Sequence, residues 1–296
     1  MDVQKPGRGF APGTFGELVQ GQIADTHFLI TLPIPWGTSA TFVGREANGI
    51  DVWPSSRRKA RVAVETALED WGKPPGGALV IRSALPVGKG MASSSADIVA
   101  ALRAAAAYYG VRITAAEIAR RAARVDPTDG IMYPNVVAFN PLTGDLLERL
   151  GPVPPAVIVG ALGHGRVNTE DHHRLSEPYE DRHQKRLNEA LQLVRCGVEA
   201  RRLELLGQAG RISAEIELER QPEDDLARFL DLADGVSGGV IIAHSGTVRG
   251  VMVPQSEPSY LVRRLEQRMW GLNLGPVYRI VIGSRPPSQW SSRNVH

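Results

Sequence analysis

The chain has 296 residues, 43% of them hydrophobic, which is enough to bury a sizeable core and admits about two domains. Its 34 basic and 32 acidic residues nearly cancel to +2, so no global field marks it for nucleic acid or for an anionic membrane. A single cysteine, Cys196, excludes an intrachain disulfide framework and a multi-cysteine zinc site, fits a reducing cytosol, and reads as a small helix-packing residue.

The N-terminus carries Lys5 and Arg8 with no apolar stretch behind them, which argues against a secretory signal. Residues 21–32 and 38–43 alternate or run apolar between Pro33, Pro35 and Gly37 and predict antiparallel strands. Apolar positions at Val62, Val64, Ala67, Leu68 and Trp71 predict a helix over 61–71, closed by Gly72 and Pro74. A strand at 78–82 leads into a glycine and serine loop at 86–95, which opens directly into an alanine-rich helix ending before Gly110. That helix contains Asp97 and Arg103 and is too short and too charged to span a bilayer, so a cytoplasmic protein is expected. The capping box Thr114-Ala115-Ala116-Glu117 starts a helix over 114–124, broken by Pro127, and a strand is expected over 133–139.

Three prolines and a glycine in 151–155 stiffen a connection, and the domain division is placed there, giving domains 1–152 and 153–296. Beyond it come a strand at 156–161, a polar loop at 163–182, and helices at 184–202 and 226–233. Strands at 240–243 and 248–253, a helix at 258–270 and a strand at 277–282 complete the chain. Antiparallel strands with helices in each half indicate an α+β fold in two layers.

The loop reads Pro86-Val87-Gly88-Lys89-Gly90-Met91-Ala92-Ser93-Ser94-Ser95. Its glycines let the backbone approach a ligand, and a helix start leaves free N–H groups, a combination that binds anions. Lys89 adds a positive charge, and the serines add hydroxyls for phosphate oxygens or Mg²⁺. On spacing alone, an ordinary glycine turn with a serine cap remains equally open. It is not a Walker A loop, because Gly88-Lys89 is followed by Gly90 where Ser or Thr is required.

This stretch resembles the second motif of the GHMP kinases, a proline and glycine loop ending in paired serines at a helix start. Three more segments agree in order. Residues 11–21, with the core Gly16-Glu17-Leu18-Val19-Gln20-Gly21, are similar to the N-terminal motif, most of all in the L-threonine kinases of cobalamin biosynthesis and propanediol utilization. Asp126-Pro127-Thr128-Asp129-Gly130 resembles the segment bearing the catalytic aspartate. Ala243-His244-Ser245-Gly246-Thr247-Val248-Arg249-Gly250 resembles the subfamily's C-terminal glycine motif. The resemblance implies a two-domain GHMP kinase fold, with an N-terminal domain of the ribosomal-protein type and a C-terminal ferredoxin-like α/β sandwich. It also implies ATP and Mg²⁺ as cofactors and a small-molecule acceptor, without nucleic acid or membrane partners; a homodimer is left open.

By the same resemblance, Pro86, Gly88, Lys89, Gly90, Met91, Ala92, Ser93, Ser94 and Ser95 hold ATP, and Ser94 helps hold Mg²⁺. Asp129 takes or orients the acceptor's hydroxyl proton, with Lys89 offsetting phosphate charge. Glu117 is the nearest carboxylate by position for the metal, in competition with its capping box, and Asp126 is the alternative. Thr14, Glu17, Asn168, Thr169, His244 and Ser245 border the acceptor, with Glu17 suited to an ammonium group and Arg166 to a carboxylate. The subfamily usually has a serine and cysteine where Thr14 and Phe15 stand, which bears on acceptor identity. His164, His172, His173 and His183 fit no compact zinc spacing and read as solvated loop histidines. The basic stretch 54–59 lies where relatives of the family meet adenine. The resemblance thus implies transfer of phosphate from ATP to an amino-acid hydroxyl, L-threonine first, then L-serine, homoserine or ethanolamine. A competing hydrolase reading rests on Gly235-Val236-Ser237-Gly238-Gly239, although a helix precedes and a strand follows it, the reverse of a nucleophile elbow. A nucleotide-binding protein without turnover is the third class, separated from the enzyme by Asp129 and the metal ligands.

Overall fold

A computed structural model describes residues 4–165, 179–236 and 238–283. The N-terminal half is built on a long antiparallel hairpin, β1 (Gly7–Ile23) and β2 (Thr26–Arg45), joined through Ala24 and Asp25. The other strands are β3 (Ile50–Trp53), β4 (Gly76–Ser83), β5 (Val136–Phe139), β6 (Leu146–Gly151), β7 (Ala156–Leu162), β8 (Val240–Ile242), β9 (Val248–Pro254) and β10 (Val277–Ile282). One sheet path runs β10-β7-β9-β8-β1-β2-β4-β3, with β5 and β6 branching from β2. All described pairings are antiparallel except β3 with β4.

The helices are α1 (Arg58–Asp70), α2 (Ser93–Tyr109), α3 (Ala115–Val125), α4 (Asp181–Glu199), α5 (Leu203–Arg220), α6 (Asp224–Ala233) and α7 (Ser259–Gly271). Alanines let α2 lie directly on β1: a Cβ added at Gly9 would stand 2.1 Å from the Ala100 carbonyl oxygen. The main core, with Phe15, Phe42, Ile81 and Val99, also takes in Leu187, Leu206 and Met252 from beyond the 151–155 connection. A second core, with Val159, Phe229, Val251 and Met269, joins β7, β8 and β9 to α6 and α7. Each large side chain buried in this way contributes roughly 1.5–3 kcal/mol.

Several expectations are corrected. Helix α1 starts at Arg58, earlier than 61, because Arg57 pairs with Asp97 at 2.9 Å and Lys59 with Asp126 at 2.8 Å, anchoring a polar first turn. Helix α5 was not expected; its buried face includes Gly207, Gly210, Ser213 and Glu217 beside Leu203, Leu206 and Ile216, so small and polar residues dilute the apolar stripe. Short β3 and β6 were missed as well. His183 is no solvated loop residue: it is 2% exposed inside α4, its Nδ1 accepting from the Glu180 N–H at 3.3 Å. Cys196 lies on α4 but faces outward.

Candidate active site

The loop between β4 and α2 is tied on two sides by backbone. The Gly16 N–H donates to the Gly90 carbonyl at 2.9 Å and the Thr14 N–H to that of Met91 at 3.3 Å. On the opposite side the Thr247 and Val248 N–H groups donate to the Lys89 carbonyl at 3.0 and 3.1 Å. Only glycine permits this approach: a Cβ at Gly246 would lie 2.5 Å from Gly90 Cα, and Gly90 itself sits at φ +81°. Three of the four sequence motifs therefore meet at one loop. Ala92, just before α2, is left-handed at φ 57° and ψ 30° and gives no side-chain cap, so the first N–H groups of α2 are available to an anion.

The fourth motif supplies Asp126 and Asp129 where α3 ends. Asp126 is the C-cap of α3, 6% exposed; its Oδ2 accepts from the Ser94 hydroxyl at 2.9 Å while Oδ1 meets Lys59. Asp129 Oδ2 accepts from Ser95 Oγ at 3.1 Å, and Ser95 Oγ in turn accepts from the Asp129 N–H at 3.2 Å. Burial, followed by the charge of Glu17, pushes the Asp129 carboxyl up to about 7, against the lowering effect of the Ser95 hydrogen bond. Asp97, deeper in α2, is raised to about 6 because burial outweighs Arg57 and the Thr38 hydroxyl.

Glu17, Asp126 and Asp129 line one pocket with Gly88, Gly90 and residues 91–95, and Gln20, Thr128 and Ser245 complete its polar wall. No Lys or Arg lines it among the described residues. Glu17 reaches the pocket because β1 is bulged on both sides of it, which re-aims the side chain. The same residue forms the register pair between β1 and β8, opposite Ile242.

Five expected placements differ. Glu117 is 2.8 Å from the Thr114 N–H through Oε2, closing the capping box, and hydrogen bonds to Thr114 hold its carboxyl below the usual range. It stands a helix length from Asp126, roughly 13 Å by helix rise, so Asp126 and not Glu117 accompanies Ser94. Lys89 does not line the pocket; its ammonium donates to the Gly163 and Gly165 carbonyls and fastens the loop to the end of β7. Thr14 is fully buried behind the loop, its Oγ1 without a partner, and does not line the pocket. The His244 ring is buried, with Nδ1 3.2 Å from Glu17 Oε2 and Nε2 2.9 Å from Ser213 Oγ, and reaches the site only through Glu17. Pro86 lies at the loop's edge outside the lining, and Arg166, Asn168, Thr169, His172, His173 and Ser237 lie outside the described residues.

Gln20, a polar residue of the N-terminal motif, lines the pocket beside Glu17, whereas Lys59, Thr128 and Ser213 join the site without having been selected from sequence as site residues. For Lys59 there was a signal, the basic stretch immediately before a helix; for Ser213, within unrecognised α5, there was none.

Ser94 Oγ and an Asp126 oxygen form the kind of hard-oxygen pair that suits a divalent cation shared with phosphates. The described residues hold no cluster of three or more His, Cys, Asp or Glu side chains arranged as a self-sufficient metal cage.

Residues 58–137 match the model of the GHMP kinases N terminal domain. The L-threonine kinase of Salmonella typhimurium strain LT2 is 28% identical over 253 residues, 82% of this chain and 81% of that protein. The L-threonine kinase of Citrobacter freundii is 27% identical over 256 residues, 83% and 85% of the two chains. Among solved structures, the mevalonate kinase of Methanococcus jannaschii superposes with a TM-score of 0.71 at 13% identity, covering 95% of this chain and 98% of its own. The homoserine kinase of Cytophaga hutchinsonii does so with 0.69 at 17%, covering 95% and 96%. These superpositions establish the α+β fold of that family for this chain.

Proposed function

Because the chain is a GHMP-type kinase, we propose that it transfers the γ-phosphoryl group of ATP to the side-chain hydroxyl of an amino acid, with L-threonine as acceptor and O-phospho-L-threonine as product. One observation carries this reading: the uncapped start of α2, the carboxyl of Asp129 and the carboxylate of Glu17 border the same pocket. The similarity to two L-threonine kinases supports L-threonine as the acceptor, and in this reading the product feeds cobalamin assembly in the cytoplasm. Among the described residues no helix is long and apolar enough to cross a membrane.

In this reading the N–H groups at the start of α2 and the glycines of the loop receive the phosphates. The acidic groups of the lining, Glu17, Asp126 and Asp129, favour a triphosphate that enters with a divalent ion. Ser94 and Asp126 would hold Mg²⁺, which when bound neutralises charge on the phosphate oxygens. Asp129 accepts the proton of the acceptor hydroxyl as the new O–P bond forms and the bond to ADP breaks. Glu17 pairs with the acceptor's ammonium group, and the acidic lining disfavours an acceptor whose only charge is negative.

A second reading keeps the chemistry and changes the acceptor to L-serine, L-homoserine or ethanolamine, since the lining selects an amine and shows no partner for a carboxylate among the described residues. ADP formation from Mg-ATP decides between them. L-threonine should give the highest kcat/KM of the four, another member leading would select the second reading, and silence with all four would overturn the acceptor class.

A further inference from the structure

Glu17 has two carboxylate oxygens, and the structure treats them differently. Oε2 accepts from the backbone N–H of His244 at 3.0 Å and meets the ring Nδ1 at 3.2 Å. His244 Nε2 lies 2.9 Å from Ser213 Oγ, which accepts from the Gln20 N–H at 3.1 Å. The three residues come from β1, α5 and the turn after β8, and are 5%, 1% and 5% exposed for Glu17, Ser213 and His244. Nδ1 faces a carboxylate oxygen, which can only accept, so Nδ1 donates to Glu17, while Ser213 Oγ meets Nε2 at 2.9 Å and the Gln20 carbonyl at 3.4 Å. Both contacts of the Glu17 carboxylate described here use Oε2, and Glu17 lines the pocket, which leaves Oε1 as the oxygen available to a ligand there.

We propose that His244, braced by Ser213, is a positioning residue for the acceptor: it fixes Oε2 of Glu17 so that Oε1 points at the acceptor's amine. This rests on the reading of the acceptor as an amine-bearing hydroxyl compound. The same brace fixes the backbone of Gln20, whose residue lines the pocket beside Glu17, so one buried chain sets two elements of acceptor recognition without touching the acceptor. The phosphate loop is held by backbone ties of its own, from Gly16 to Gly90 and from Thr247 and Val248 to Lys89, which use neither the His244 nor the Ser213 side chain.

Two measurements test this. In the full chain labelled with 15N-histidine, the His244 ring should show a protonated Nδ1 whose signal moves on Ser213→Ala; a ring with no proton on Nδ1 overturns the relay. No acceptor is needed for this measurement, so it stands even if the acceptor reading fails. In kinetics, His244→Leu should raise the KM for the amine-bearing acceptor by about tenfold or more while leaving the KM for ATP within about twofold. His244→Asn, which keeps a donor near the Nδ1 position, should recover most of that loss, and Ser213→Ala should fall between. A folded His244→Leu with unchanged acceptor KM, or with both KM values raised alike, overturns the positioning role.

Discussion

At Asp129, burial and the nearby charge of Glu17 keep a proton on the carboxyl until the pH approaches 7, against an ordinary 3.8. The free enzyme should therefore gain kcat/KM as pH rises, levelling above about 7, because only the ionised form can accept the hydroxyl proton. Stability runs the opposite way. Between the unfolded and folded values the native state binds a proton that the unfolded state has released, so the contribution is full below about 3.8 and is lost as pH rises through about 7. Asp129→Asn should thus lower turnover on the order of 100-fold or more. Near pH 8 it should also raise unfolding stability by about 1–3 kcal/mol, a gain absent near pH 4. Rate profiles and urea titrations at the two pH values check both; a variant with full rate, or one no more stable at the higher pH, contradicts this account.

Helix α3 separates two carboxylates that sequence position alone could not rank. Glu117 belongs to its first turn and Asp126 to its end, and each is committed locally. Glu117→Ala should cost about 0.5–1 kcal/mol of stability through loss of the cap and leave turnover near wild type. Asp126→Asn should instead raise the Mg²⁺ concentration needed for half-maximal rate. A Glu117 variant that shifts the metal dependence, or an Asp126 variant that does not, reverses the assignment. The capping box was legible because its residues are three apart, a spacing that determines contact within any helix. Lys89 shows the converse: its charge was visible, but the carbonyls that hold it are 74 and 76 residues away. The relay of Glu17, His244 and Ser213 spans 227 and 31 residues, and one of its three members sits on a helix whose glycines and serine obscured its period.

Across the whole molecule, the alternation of strands and the alanine-rich helix made the α+β architecture readable, while the order in which strands join was not. Nothing local in residues 11–21 says that β1 will border β8 from the far half, through Glu17 opposite Ile242. We propose two domains, 1–152 and 153–296, that unfold together, since the main core and the sheet both cross their junction. A thermal scan by far-ultraviolet circular dichroism and by tryptophan fluorescence should give coincident single transitions; two separated midpoints would show that the halves melt independently.

The backbone ties of the phosphate loop bear on how this site can be rebuilt. Residues 86–95 owe their shape to Gly16 on one flank and to Gly246 and Thr247 on the other, so a transplant of the loop alone into another scaffold would arrive without its mould. The smallest portable unit is three segments drawn from the start, the middle and the far end of the chain. Chimeras between this protein and a relative should accordingly exchange all three together or none.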